Sequence, residues 1–310
     1  MKIVRNEIIL FVVVLVGCRV VLGQTSTDTT LEGTSIRDAG AIMEVENDSM
    51  IEERSFFDVM SDTFAVNYYG IYRGASLMDP RNSLQPRVDG SADSNNPQSL
   101  ESTVFAGYKF NNDWNGGILG HFNYFPVGNP VGNGQDIQML DPSLAVSIAN
   151  LFERGHFKVS SRLTAQLPVS SQDVLRPNHL LTALTTYLFM NYEVPHSKVT
   201  LGIAGYLRGY IPDANALDSV RTYRIYVAPN VNYQITQSVA ATLWIDLLQL
   251  NRSRGTHFIS GVSNDPIDIE PGINWDISKN FSINPVINIY PAHPTLASTS
   301  FQAFIVARTS

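Results

Sequence analysis

From Phe64 onward the chain alternates apolar and polar residues with a period of two. In 157–169, Phe157, Val159, Ser161, Leu163, Ala165 and Leu167 share one face, while Lys158, Ser160, Arg162, Thr164 and Gln166 share the other. Residues 198–211 set Val199, Leu201, Ile203, Gly205 and Leu207 against Lys198, Thr200, Gly202, Tyr206 and Arg208. Residues 221–235 set Tyr223, Ile225, Val227, Val231 and Tyr233 against Thr222, Arg224, Tyr226, Asn230, Asn232 and Gln234. In 267–278, Ile267, Ile269, Ile273 and Trp275 oppose Asp268, Glu270, Asn274 and Asp276. Wound as helices, these stretches would scatter their charges all round; as strands, each has one greasy and one wet face.

The pattern predicts about twelve strands, at 63–76, 102–111, 114–126, 143–154, 157–169, 179–194, 198–211, 221–235, 238–250, 267–278, 281–291 and 299–310. Most are as long as a tilted membrane-crossing strand of about 9–11 residues. Short connections at Asn112-Asp113, Gly155-His156, Pro195-His196-Ser197, Thr236-Gln237 and Lys279-Asn280 alternate with long ones near 77–101, 127–142, 170–178, 212–220, 251–266 and 292–298. Alternation of short turns and long loops marks an antiparallel transmembrane β-barrel. An even strand number puts both barrel termini on the short-turn side, expected to be periplasmic.

Aromatics sharpen this picture. At the short-turn ends the apolar-face residue is repeatedly aromatic: Phe64, Phe110, Trp114, Phe152, Phe157, Tyr192, Tyr233, Trp275 and Phe281. Such a ring at one height is what a membrane interface selects. A sparser ring of Tyr72, Phe122, Tyr124, Tyr223 and Phe301 marks the other end. The competing fold, a secreted β-sandwich, buries its apolar faces against each other and has no reason to collect aromatics at one end of its strands. Two features sit awkwardly. Pro229, Pro271 and Pro285 fall inside predicted strands, where a closed barrel has no free edge, and so imply bulges or shorter strands. Leu248 and Leu250 share the parity of Asp246, which implies a bulge or a strand end near that residue.

Ahead of the strands, Lys2 and Arg5 followed by the apolar run Ile8–Val16 read as a signal peptide over 1–23, cleaved before Gln24. A rival site, Leu15-Val16-Gly17-Cys18, resembles a lipobox that would acylate Cys18, the sole cysteine. Residues 24–61 read as a flexible acidic periplasmic segment, with a lumen plug as the alternative, and 62–310 as the barrel. Between Gln24 and Asp58 nine acids face two bases, which accounts for the whole net charge of -7. The body is therefore close to neutral and has no basic face for nucleic acid. Only 16% of residues are charged, with a mean hydropathy of -0.02. A bundle of membrane helices would be far more apolar.

If the apolar face meets lipid, the polar face encloses a lumen. Twelve strands at ordinary spacing and tilt give a backbone radius of roughly 12 Å, wide enough for a narrow pore. The expected lining is Arg73, Lys109, Lys158, Arg162, Arg208, Arg224, Asp246, Asp268, Glu270 and Asp276. Lys158, Arg162, Lys198, Arg208 and Arg224 form a basic strip, and Asp246, Asp268, Glu270 and Asp276 an acidic one. Opposed strips create a transverse field that orients solutes and sets ion preference. Alternatively the same residues cross-link a filled interior.

Catalytic chemistry is not legible. His121-Phe122-Asn123 lacks the serine two residues on that a barrel phospholipase needs, and His156, His179, His196, His257 and His293 fall in turns or in or near loops. Asp265, Asp268 and Glu270 have the oxygen chemistry for calcium, but a solvated, charged loop end is the preferred reading of them, and no metal ligand, catalytic residue or cofactor is assigned. The glycine-rich stretch 128–134 has no Lys-Ser/Thr sequel and is a loop rather than a phosphate cradle.

From Phe64 to Ser310, the hairpin rhythm and aromatic rings resemble those of Gram-negative outer-membrane porin-like proteins, although no short motif singles out one family. The C-terminal stretch Phe301–Ser310 looks like a closing strand but ends on serine, where many porins end on an aromatic residue. The resemblance implies a channel of the bacterial outer membrane, not an enzyme, for passive diffusion of ions and small hydrophilic solutes. Its partners would be the lipid bilayer, those solutes and, through outward Gly205 and Gly209, a second copy of the chain. The alternatives are a closed structural or adhesive barrel with external binding loops, or an outer-membrane hydrolase.

Overall fold

The computed structural model describes residues 63–308 apart from 129–134, 171, 172, 174 and 255–261. The leader, the acidic segment and His257 lie outside the described residues. Seventeen strands follow in chain order: β1 (Phe64–Ser76), β2 (Leu84–Pro86), β3 (Ala92–Pro97), β4 (Ser99–Lys109), β5 (Trp114–Tyr124), β6 (Ile137–Met139), β7 (Ser143–Arg154), β8 (Phe157–Gln166), β9 (Leu180–Glu193), β10 (Val199–Pro212), β11 (Arg221–Gln234), β12 (Val239–Asp246), β13 (Leu248–Ser253), β14 (Val262–Asn264), β15 (Asp268–Ser278), β16 (Phe281–Asn288) and β17 (Ser300–Arg308).

Twelve staves form one ring, with β12 and β13 sharing a stave. Going round, β1 pairs with β4, then β5, β7, β8, β9, β10, β11, β12/β13, β15, β16 and β17, and β17 returns to β1. Every pairing is antiparallel, and the closing seam runs from Asn67 opposite Arg308 to Arg73 opposite Gln302. Closure leaves none of the twelve staves at an edge, so apart from the prolines their backbone groups face a neighbouring stave on both sides. The short turns fall where the pattern places them. Asn111 Oδ1 accepts the N–H groups of Asp113 (2.9 Å) and Trp114 (2.8 Å) in the β4–β5 turn. Gly155 takes φ +60° in the two-residue β7–β8 turn, a conformation glycine adopts without strain. The long connections carry the short strands: a β2–β3 hairpin after β1, β6 beside β5, and β14 beside β13.

The irregularity expected near Asp246 is present, whereas the bulges or strand ends expected at Pro271 and Pro285 are not. Val227 lies opposite Leu248 but Asn230 lies opposite Trp244, so one extra residue sits between β12 and β13. This bulge turns Leu248 and Leu250 outward and Gln249 and Asn251 inward, and it faces Pro229, which pairs with Ile203 on its other side without a break. Pro271 and Pro285 neither bulge nor end their strands. Ile269 and Ile289 exchange both backbone hydrogen bonds (2.8 and 2.9 Å), so every second residue from each turns its nitrogen into the β15–β16 seam. Both prolines fall in that set, and this one seam lacks two donors.

The polarity of the ring is inside out relative to a water-soluble protein. Outward positions carry Val66, Ile118, Leu144, Val146, Leu201, Ile203, Val231, Leu243, Ile273 and Ile287, all exposed. Inward positions carry buried Asn67, Ser147, Arg162, Thr185, Asn230, Thr242, Glu270, Asn284 and Gln302. Leaving roughly twenty large outward side chains in water rather than in an apolar medium forgoes, at even half of about 1.5–3 kcal/mol each, more transfer free energy than a typical net stability of about 5–15 kcal/mol. An apolar solvent around the ring removes that cost.

Candidate functional site

The inner wall is built by the even/odd alternation of every stave, and all ten predicted lining residues take the inward parity. Arg73 Nε donates to Glu101 Oε1 at 2.8 Å and Nη1 to Gln302 Oε1 at 3.4 Å, tying three neighbouring staves. Arg162 is buried and its Nε donates to Ser147 Oγ at 2.8 Å. Arg208 Nε donates to Thr185 Oγ1 (2.9 Å) and its Nη2 to the Tyr187 hydroxyl (3.3 Å). Arg224 Nη2 donates to Gln249 Oε1 (2.7 Å) and stands 3.5 Å from Asp265 Oδ2. On the next staves Asp246 lies opposite Asp268, and with Glu270 the three bring carboxylate oxygens within 4.8 Å of one another. Lys109, Lys158 and Asp276 lie near the short-turn end, opposite Asn115, Glu153 and Ser282. Asp265 joins Arg224 and Asn251 (3.2 Å from Nδ2) rather than the acidic trio.

The wall also carries apolar and aromatic residues that charge sorting alone did not reveal. Tyr187, Tyr206 and Tyr226 sit side by side on β9, β10 and β11. Tyr206 stacks on Tyr226 at 5.1 Å and meets Tyr187 at 5.6 Å, with the Arg208 and Arg224 guanidinium groups 5.7 and 5.9 Å from its centroid. Tyr187 and Tyr226 pack against a buried cluster of Phe189, Ala204, Ala228 and Trp244. Elsewhere inward Phe105, Leu119 and Ala145 pack together, as do Tyr69, Ile71, Val286, Phe304 and Val306. Their parity was readable, since each shares the face of polar neighbours; their convergence into clusters depends on register between strands.

His121 is on the inner wall. One ring nitrogen, Nδ1, lies 3.0 Å from Thr103 Oγ1, and Nε2 lies 3.3 Å from Ser143 Oγ. Sequence proximity could not show this Ser–His contact, which spans β5 and the start of β7. With a threonine where a carboxylate would orient the ring, and Ser143 buried, the trio is a hydrogen-bonded row across three staves.

At the long-loop end Asp141 is buried, and its Oδ1 accepts the N–H groups of Val169 (2.8 Å) and Ser170 (2.6 Å). Its own N–H donates to Asp173 Oδ2 at 2.7 Å, which also accepts Gln166 Nε2 at 2.8 Å. Two long loops are thereby fastened to each other. Burial pushes the Asp141 carboxyl above its ordinary range, against the pull of the backbone donors. Past β16, burial, with nearby Asp268 adding to it, pushes the Tyr290 hydroxyl up to about 12.

The outer surface carries the aromatic ring in full. Phe64, Phe110, Trp114, Tyr192, Tyr233, Trp275 and Phe281 are exposed at the short-turn ends. Phe152 and Phe157 contact each other there at 6.0 Å, and Tyr108 bridges Phe64 (5.9 Å) and Phe110 (5.6 Å). At the other end Tyr124 and Phe301 are exposed, with Tyr72 6.3 Å from Phe301. The chain is a twelve-stranded β-barrel of the outer-membrane type. No protein-family model matches it, and no curated protein matches it in sequence. Among solved structures, the barrel is similar to the COG4313 outer membrane channel from Pseudomonas putida F1, at 9% identity and a TM-score of 0.49, covering 79% of this chain and 94% of that one. It is also similar to the KdgM porin, at 11% identity and a TM-score of 0.39, covering 79% and 98%. The KdgM porin in complex with disordered oligogalacturonate aligns at 9% identity and a TM-score of 0.41, over 79% and 98%.

Proposed function

We propose that this barrel is a passive channel of the bacterial outer membrane, its termini periplasmic, for ions and small hydrophilic solutes. The observation that carries the reading is the sorting of charge on the inner wall. Arg162, Arg208 and Arg224 occupy β8, β10 and β11, while Asp246, Asp268 and Glu270 occupy β12 and β15. Such strips impose a field across the lumen that favours ions by sign and aligns dipolar solutes. The test is conductance in a planar bilayer. Wild-type protein gives discrete single-channel steps, and the Asp268→Asn/Glu270→Gln variant shifts the reversal potential under a salt gradient toward anions. Silent bilayers from correctly folded protein would overturn the reading.

A second reading, a closed barrel whose long loops bind partners, draws support from the buried cluster of Phe189, Ala204, Ala228 and Trp244 on inward positions, whose large side chains take up interior space. Under that reading conductance is absent and Trp244→Ala opens it.

A further inference from the structure

We propose that Asp246, Asp268 and Glu270, together with Asn288, form a binding site for a hard divalent cation, calcium in preference to magnesium, on the inner wall. The three carboxylates offer oxygens within 4.8 Å of one another. Opposite ligands of one calcium ion, at about 2.3–2.6 Å from the metal, lie about 4.6–5.2 Å apart, so a single ion can be shared by all three. Carboxylates this close repel one another, and an ion held between them turns repulsion into attraction. The separations come from the fold: Asp246 and Asp268 are directly opposite on β12 and β15, and Glu270 follows two residues on, on the same face.

Asn288 supplies the independent observation. It is 3% exposed on the neighbouring stave β16. Its Nδ2 donates to Asp268 Oδ2 at 2.6 Å and to Glu270 Oε1 at 3.1 Å, while its Oδ1 is buried with no hydrogen-bond partner among the described residues. A carboxamide aimed between two carboxylates, with its oxygen left over, is half a turn about χ2 from presenting that oxygen as a fourth ligand. In that state the amide exchanges two donated hydrogen bonds for one metal–oxygen bond. Calcium tolerates irregular oxygen sets completed by water, whereas magnesium demands near-octahedral geometry and dehydrates reluctantly. With Glu270 1% and Asp268 7% exposed, the oxygen set is buried and irregular, which suits calcium.

The inference is independent of conduction, and so is its test. Trp244 is buried on the inner wall directly opposite Glu270, about 5 Å away backbone to backbone. Of the other two tryptophans, Trp114 and Trp275 both face outward and are exposed. Chelator-washed protein folded in detergent is titrated with terbium, exciting tryptophan and reading lanthanide emission. Saturable emission is expected, displaced by calcium at lower concentration than by magnesium. Trp244→Phe removes the emission but not calcium binding measured by calorimetry. Asn288→Ala weakens calcium binding by about 10- to 100-fold, Asn288→Asp tightens it, and Asp268→Asn/Glu270→Gln abolishes it. Heat-dependent gel migration checks that each variant is folded. Should the double variant fail to fold, the two Asn288 variants decide. No saturable emission from folded wild-type protein, or affinities unchanged by the Asn288 substitutions, would overturn the proposal.

Discussion

Ile118→Lys puts the central claim about solvent to a quantitative test. Ile118 is 56% exposed on the outward face of β5, between Ala106 of β4 and Leu144 of β7. It stands four residues from the ring aromatic Trp114, about 13 Å along the strand and about 10 Å along the barrel axis at a tilt near 40°. That height is close to the middle of an apolar band about 25 Å tall. A lysine at the midplane of a lipid-facing barrel costs about 2–4 kcal/mol, and near the interface about 0–1 kcal/mol. The folding equilibrium should therefore fall by roughly 30- to 700-fold. Tyr108→Lys, in the aromatic ring on the same outward face, is the internal control and should cost no more than about half as many kcal/mol. The assay is reversible urea unfolding in phospholipid vesicles, followed by tryptophan fluorescence and heat-dependent gel migration, comparing midpoints at fixed slope. If the outer face were in water, an exposed Ile→Lys change would stay within about 0.5 kcal/mol. Equal costs at the two positions would refute the reasoning.

Asp141→Ala removes the acceptor of the Ser170 N–H and one of the two acceptors of the Val169 N–H, whose other is the Leu167 carbonyl (2.8 Å), at about 1–3 kcal/mol in all, and should speed amide exchange most at Ser170. Asp141→Asn keeps the acceptor oxygen at a position where burial already disfavours charge, so it should cost clearly less; equal damage would contradict the latch. Because the folded-state Tyr290 hydroxyl is raised from 10.0 to about 12, the folded form holds this proton after the unfolded chain has lost it. Stability from this group is thus complete below pH 10 and falls as pH rises toward about 12, and Tyr290→Phe should remove that part of the alkaline slope. A Cβ at Gly117 would collide with the Ala106 carbonyl oxygen and the Gly107 Cα. Both are backbone, so Gly117→Ala should destabilise by about 1–3 kcal/mol, seen as a lower urea midpoint with an unchanged slope.

Strand parity was legible throughout because the two faces of each stave meet different solvents, and a one-residue slip would exchange them. That is why the step at Leu247 showed in sequence as Leu248 and Leu250 falling on the parity of Asp246. Parity says which face a side chain is on, but not which neighbours it meets. The meeting of Asp246 with Glu270 and Asn288, of His121 with Ser143, and of Tyr187 with Tyr206 and Tyr226 is set by register between staves. Register accumulates through turns whose geometry a single chain does not spell out. For the same reason Asp265, grouped with Asp268 and Glu270 as an oxygen ligand by its place in the sequence, meets Arg224 and Asn251 instead. The β2–β3 hairpin and β6 were hidden because short strands in polar loops carry no two-faced pattern.

Pro271 and Pro285, two residues out of register with each other on β15 and β16, give the cylinder a line along which it is easiest to unzip. Of all the joints round the circumference, this one must hold with side-chain packing where its neighbours also have a full rung set. Amides bordering it should be the first to trade with solvent deuterium when the cylinder breathes. Heated or stretched, the wall should part here, leaving β16 and β17 attached to the N-terminal half and the remaining staves rolled as an open sheet.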